Sequence, residues 1–264
     1  MAQLPRWQSL DAGVPVPNGT GSGRIVALVA SEGAVEGGWA ATAALGLARA
    51  WSGVGEKVIV VDGALHYPTL HVCAETENFE GLSDAALFGL SVGRVAKPMD
   101  GGAFFLITAG TAVADANAVA GSPRWGTLLG GFLEAGVKLL LFVRDGDSGC
   151  AAFLGSASDI IVLAGEHESA PAAVRDLEGM VRAVTGPAGA PAGAAVSDSG
   201  LRPPQEWTAA GPGGQRRIAM LAALVVAVIL ALLVAFGVIP VPGLSPEPLG
   251  TVSALTPGSV SVGG

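Results

Sequence analysis

The sequence predicts an α/β domain, a doubly wound and mostly parallel sheet of about five strands, joined to a single transmembrane helix. Three observations carry that prediction. Short apolar runs of four to six residues occur at 25–30, 58–61, 104–107, 139–143 and 160–163. Helix-like stretches separate them, and residues 218–239 (IAMLAALVVAVILALLVAFGVI) carry no charged or polar side chain. Continuous runs rich in Val, Ile, Leu and Phe fit strands buried on both faces, as parallel strands are. Strand–helix alternation is the pattern of a doubly wound sheet.

Taken in order, residues 1–23 are rich in Gly, Pro and Ser, with Leu4, Trp7 and Leu10 as spaced apolar residues. They read as a flexible arm. Arg6, Asp11 and the missing apolar centre argue against a cleaved signal peptide. The domain then runs over 24–185. Helices are expected at 39–52, 82–90, 124–136 and 149–156, each between two apolar runs. A last helix is expected at 170–184, where Val174, Leu177, Val181 and Val184 recur at helical spacing. Residues 186–214 are a Gly/Ala/Pro linker, too poor in large apolar groups to form a core.

The run at 218–239 is 22 residues long. At ~1.5 Å per residue that helix measures about 33 Å, enough for a hydrocarbon core of roughly 30 Å. Arg216 and Arg217 directly precede it, and no Lys or Arg follows. The positive-inside bias makes these two residues the topology determinants. The N-terminal part is then cytoplasmic at a bacterial inner membrane, and the tail 240–264 is exported.

Composition narrows the function. The formal charge of −8 argues against nucleic acid as a partner. The two cysteines, Cys73 and Cys150, read as reduced small hydrophobes in a cytoplasmic domain. His66, His71 and Cys73 match no compact zinc spacing, so no metal site is expected.

The loop after the first strand is where such a sheet binds phosphate. Here it reads Ser31-Glu32-Gly33-Ala34-Val35-Glu36-Gly37-Gly38-Trp39-Ala40. It is Gly-rich and correctly placed, yet it lacks the Lys for the β- and γ-phosphates and the Ser or Thr for Mg²⁺. Glu32 and Glu36 add negative charge beside it. The glycines then read as a tight strand-to-helix turn.

These elements resemble the MinD/ParA-like P-loop ATPases, and especially the cytoplasmic domains of bacterial tyrosine kinases and their polysaccharide co-polymerase relatives. That family's loop reads S-x-x-P-G-E-G-K-S-T, and Ser31, Glu36 and Gly37 match it. Its Lys falls on Gly38, its Mg²⁺-binding Ser or Thr on Trp39, and the next Thr on Ala40. Residues 58–71 (VIVVDGALHYPTLH) are similar to the family's VLLIDADLRRPSLH, with Asp62 kept and the second acid replaced by Ala64. GLSD at 81–84 matches a family stretch. Ala109-Gly110 and Ser122 to Leu129 follow its A-G-x-x-x-P-N-P…S…LL pattern loosely. The strand expected to end on a metal-binding Asp ends Phe142-Val143-Arg144, with Asp145 one step on. The chain's one tyrosine, Tyr67, leaves no Tyr-rich tail.

The resemblance covers 24–165 and implies the fold. The degenerate loop (Ser31, Glu36, Gly37, Gly38, Trp39, with Asp62 behind it) implies no catalytic residue, no cofactor and no turnover, because phosphoryl transfer depends on positioning and charge neutralisation. The expected function is that of a non-catalytic, membrane-anchored structural or accessory subunit with a pseudo-ATPase scaffold domain. Its partners would be other membrane-complex subunits, met through the arm, the domain and the helix, together with lipid. Trp7 in the arm and Trp207 in the linker are the expected anchors, Trp7 on a partner and Trp207 at the headgroups. The host is open between envelope-polysaccharide machinery, a secretion system and an energy-transducing or photosynthetic assembly. The alternative is a membrane-tethered regulator of polysaccharide export or envelope positioning that still senses nucleotide.

Overall fold

In the computed structural model, which describes residues 4–15 and 22–189, all five apolar runs are strands of one sheet. They are β2 (Arg24–Ala30), β3 (Val58–Asp62), β5 (Phe104–Ile107), β6 (Lys138–Arg144) and β7 (Asp159–Leu163). Three further strands extend it: β1 (Trp7–Ser9), β4 (Ala96–Met99) and β8 (Val181–Gly186). The order is β1-β8-β7-β2-β6-β3-β5-β4. Among the described strands only β4, at the edge, pairs antiparallel, against β5.

Each central strand sends alternate side chains into one of two cores. Ile25, Ala27, Val29, Leu139, Leu141 and Val143 join one face, which Trp125, Phe132 and Phe153 complete. Val26, Leu28, Ala30, Leu140 and Phe142 join the other, under Leu45, Leu47 and Trp51. Burial on both faces explains why these segments read as unbroken apolar runs. The helices are α1 (Glu32–Glu36), α2 (Ala40–Gly53), α3 (Leu70–Cys73), α4 (Val92–Val95), α5 (Ala116–Ala120), α6 (Pro123–Glu134) and α7 (Cys150–Leu154). Three of these match the stretches expected at 39–52, 124–136 and 149–156. The stretch at 82–90 forms a single wide turn, a π-helix over Asp84–Phe88.

Two expectations fail, and both failures concern the same sheet edge. The stretch 170–184 is not a helix. It forms two 3₁₀ turns, Ala172–Val174 and Glu178–Met180, and then β8. Pro171 and Gly179 interrupt a helix there, while β7 offers an open row of main-chain groups that β8 takes up. Nor are residues 1–23 a free arm throughout, because Trp7, Gln8 and Ser9 pair in parallel with Val184, Thr185 and Gly186. The Trp7 indole N–H donates to the Ala164 carbonyl at 2.9 Å, and Leu10 is buried. Pairing β1 covers an edge that would otherwise be left open. At the amino ends of the strands, Asp159 accepts from Arg24 and Arg182 and so ties β2, β7 and β8 together. Burial would raise its carboxyl, but the two guanidiniums outweigh that and hold it below the usual range.

None of the helices among the described residues is long and apolar enough to cross a membrane. The run at 218–239, Arg216, Arg217, Trp207, the tail and all of the linker beyond residue 189 lie outside the described residues.

Candidate functional site

The parallel register brings the loops after β2, β3, β5, β6 and β7 to one edge of the sheet. Ala30 is level with Arg144 and with Leu163, and Asp62 is level with Phe142. This carboxyl edge is the crevice in which open α/β sheets hold ligands. The residues singled out after the first and second long strands all lie here.

The loop after β2 folds into a turn of helix. Ser31 caps α1, its hydroxyl accepting from the Ala34 amide at 3.2 Å. The Val35 amide donates to the Ser31 carbonyl, Gly37 to Gly33, and Gly38 to Val35. The Gly33 amide donates to the Glu168 carboxylate at 2.9 Å. A phosphate cradle needs several amides pointing together into open space. Here the amides of Gly33, Ala34, Val35, Gly37 and Gly38 all have acceptors within the chain. Glu36 is exposed at the end of α1.

Gly38 has φ +71°, in the left-handed region. A lysine in that conformation would cost about 1–2 kcal/mol. Trp39 precedes α2, and its half-buried ring lies between two glycines. A Cβ on Gly37 would come within 3.0 Å of its Cδ1, and one on Gly186 within 3.0 Å of its Cη2. The indole Nε1 is buried and has no hydrogen-bond partner among the described residues. An indole thus stands where the resemblance puts a metal-binding hydroxyl.

Glu168 is the site residue that the sequence analysis missed. It lies in the polar turn after β7, and its carboxylate accepts from the Ser31 hydroxyl (2.7 Å), the Gly33 amide (2.9 Å) and the Gly165 amide (3.0 Å). A Cβ on Gly33 would sit 2.6 Å from its Oε1. Nothing in the local sequence Gly165-Glu166-His167-Glu168 marks this acid, because two of its three partners, Ser31 and Gly33, lie more than 130 residues away. Asp145, considered as a displaced metal ligand, instead accepts from the amides of Ala172 and Ala173 at 2.8 and 3.0 Å.

Asp62 ends β3 fully buried and accepts from Ala64 at 3.1 Å and Leu70 at 3.2 Å. It therefore organises its own downstream loop and makes no hydrogen bond to residues 31–39. Burial is the largest influence on its carboxyl and pushes it up to about 7, against the lowering effect of these amides. Asp147 adds to the rise, and its own carboxyl is raised by burial while Arg144 and His66 pull it down. Arg144 lies over the Tyr67 ring, 5.0 Å from its centroid.

The GLSD stretch is a structural tie. Asp84 accepts from the Gly81 amide (2.8 Å), the Thr111 amide (3.0 Å) and the Thr111 hydroxyl (2.7 Å). Gly81 is required on grounds of space, since a Cβ there would lie 2.2 Å from the Thr108 carbonyl oxygen. Burial would raise the Asp84 carboxyl, and these donors hold it below the usual range.

The structure thus gathers Ser31, Gly37, Gly38 and Trp39 at one edge, where Glu168 bonds Ser31 and Gly33 of the loop and Asp62 bonds neither. Trp7 is not a free anchor; it belongs to β1.

No protein-family model matches the sequence, and no curated protein does. Solved structures do resemble it. The chimerical protein CapA2B2 is 18% identical, with a TM-score of 0.53 over 65% of this chain and 77% of that one. The kinase domain of Escherichia coli tyrosine kinase ETK is 16% identical, with a TM-score of 0.53 over 62% of this chain and 67% of that one. The kinase domain of VpsO is 14% identical, with a TM-score of 0.52 over 62% and 83%. At these identities the likeness is one of fold: a P-loop NTPase-like α/β sheet.

Proposed function

We propose that the chain is a non-catalytic, membrane-anchored structural or accessory subunit of a larger bacterial membrane complex, with a pseudo-ATPase domain as its scaffold. One observation carries this reading: the amides of Gly33, Ala34, Val35, Gly37 and Gly38 in this loop are bonded within the chain, to Ser31, Gly33, Val35 and Glu168. Gly38 and Trp39 supply neither an ammonium nor a hydroxyl, and Arg144 brings a cation to the position where a metal would need a carboxylate. With neither clamp nor metal ligand, little remains to stabilise a phosphoryl transition state.

Residues 218–239 are the membrane anchor in this reading. Arg216 and Arg217 keep the domain cytoplasmic, the tail from Pro240 is exported, and Trp207 sits at the headgroups. An anchor without ionisable groups suits packing among other helices better than transport. The host complex is envelope machinery or an energy-transducing assembly, photosynthetic systems included.

The test is purification of the full chain in mild detergent, with identification of co-purifying subunits and an ATPase assay. Stoichiometric membrane partners and no turnover above a heat-killed control are expected. Turnover, or a chain that purifies alone in every mild detergent, refutes the reading. For topology, replacing Arg216 and Arg217 by Glu is expected to raise the fraction of wrongly oriented chains. A C-terminal reporter that stays fully exported would assign orientation to another segment.

A further inference from the structure

We propose that residues 164–174 form a strap that holds the loop after β2 shut, with the Glu168 carboxylate as its latch. The proposal rests on the reading of that loop as one that takes no phosphate, and it identifies what keeps the loop closed.

The strap leaves the carboxyl end of β7 at Ala164, which is bonded to Thr185 and Trp7, and beyond it two acids hold it at two points. At the first, Glu168 reaches Ser31, Gly33 and its own neighbour Gly165. Three donors fill most of a carboxylate's roughly four lone-pair positions, and hydrogen bonds to an ionised acceptor are the stronger kind. At the second, Asp145, just past β6, accepts from Ala172 and Ala173. Beyond it Val174 is fully buried in the core and fixes the far end. Between Gly165 and Pro171 the chain forms neither helix nor strand. Its attachment to the loop therefore comes through the Glu168 side chain. The two points differ in kind: at Asp145 the sheet holds the strap, whereas at Glu168 the strap holds the loop.

Breaking the Glu168 contacts frees the Ser31 hydroxyl and the Gly33 amide, the first groups of the loop, while β2 and α2 stay packed in the core. Local opening of such a segment is a distinct, low-energy event that amide exchange detects. Glu168 is thus a positioning residue that decides whether the start of the loop is reachable.

Hydrogen exchange, read by mass spectrometry on the full chain in detergent, tests this with Glu168→Gln, Glu168→Ala and Asp145→Asn. Glu168→Gln is expected to speed exchange about tenfold in peptides covering 31–36 and 164–168 together, and to leave 81–111 unchanged, as local opening requires. Asp145→Asn should open 169–174 and spare 31–36. Unchanged exchange at 31–36 in Glu168→Gln overturns the latch. A uniform rise that includes 81–111 overturns it as well, because Glu168 would then support the whole fold. If Glu168→Ala does not fold, the Gln variant decides. Binding of Mg-ATP by the unmodified chain would sink the functional reading by itself, whatever the exchange pattern.

Discussion

Asp84 and Glu168 do the same work at two places on one edge of the sheet. Each is an acid whose oxygens gather main-chain amides and one hydroxyl from two separate loops. Asp84 is buried within a stretch that resembles a known motif, and it bonds a residue three positions before it. Glu168 is half-buried and belongs to no motif, and besides Gly165, also three positions before it, it bonds Ser31 and Gly33 more than 130 residues away. The stretch that resembles a motif holds a structural tie, and the loop after β2 is tied by an acid that no motif marks.

The first way to break this comparison is Asp84→Ala. It would leave the buried Gly81 amide without its acceptor and remove both bonds from the exposed Thr111, at a cost of about 3 kcal/mol. For a domain of this size the melting temperature should fall by roughly 10 °C. A fall of under 2 °C would remove Asp84 from the account. Glu168→Ala should cost only about 1 kcal/mol, because its donors reach water once the strap opens.

Asp62 sharpens the contrast through pH. Its folded value, about 7, lies above the ordinary 3.8. Between these values the unfolded chain gives up a proton that the folded chain keeps, so stability falls as pH rises through that window. It is greatest below the lower value, and the loss is complete above about 7. Asp62→Asn should flatten this slope in denaturant titrations across the same range. An unchanged slope would mean that Asp62 is ionised in the fold.

How far the sequence showed these features depends on the range of the interactions. The central strands were readable because burial on both faces leaves unbroken apolar runs, as at Leu139 to Val143. The outer strands were not. Val181 and Val184 fit helical spacing as well as a strand, and only the open edge of β7 decides between them. Trp7 looked like an exposed anchor because its acceptor, the Ala164 carbonyl, lies 157 residues away. Within the loop, the missing Lys and hydroxyl were plain in the sequence, whereas the Glu168 contact depended wholly on tertiary structure.

Trp7→Ala tests the corrected arm. Loss of the indole hydrogen bond and part of the β1 contact should lower domain stability by about 1–2 kcal/mol. Unchanged melting with weakened subunit association would restore the anchoring role instead. The smallest effect concerns the thiols. Cys73 is exposed and Cys150 buried, and burial, aided by Asp145 and Asp147, pushes the Cys150 thiol up to about 12. An alkylating reagent should modify Cys73 in the folded chain and Cys150 only after unfolding.

The central claim is that the loop from Ser31 to Trp39 no longer holds nucleotide. Calorimetric titration of the full chain with Mg-ATP tests it most directly. The account predicts no saturable heat up to ~1 mM, a level at which even binding worth about 4 kcal/mol would show. A saturable isotherm with a micromolar Kd that Gly33→Asp abolishes would contradict it.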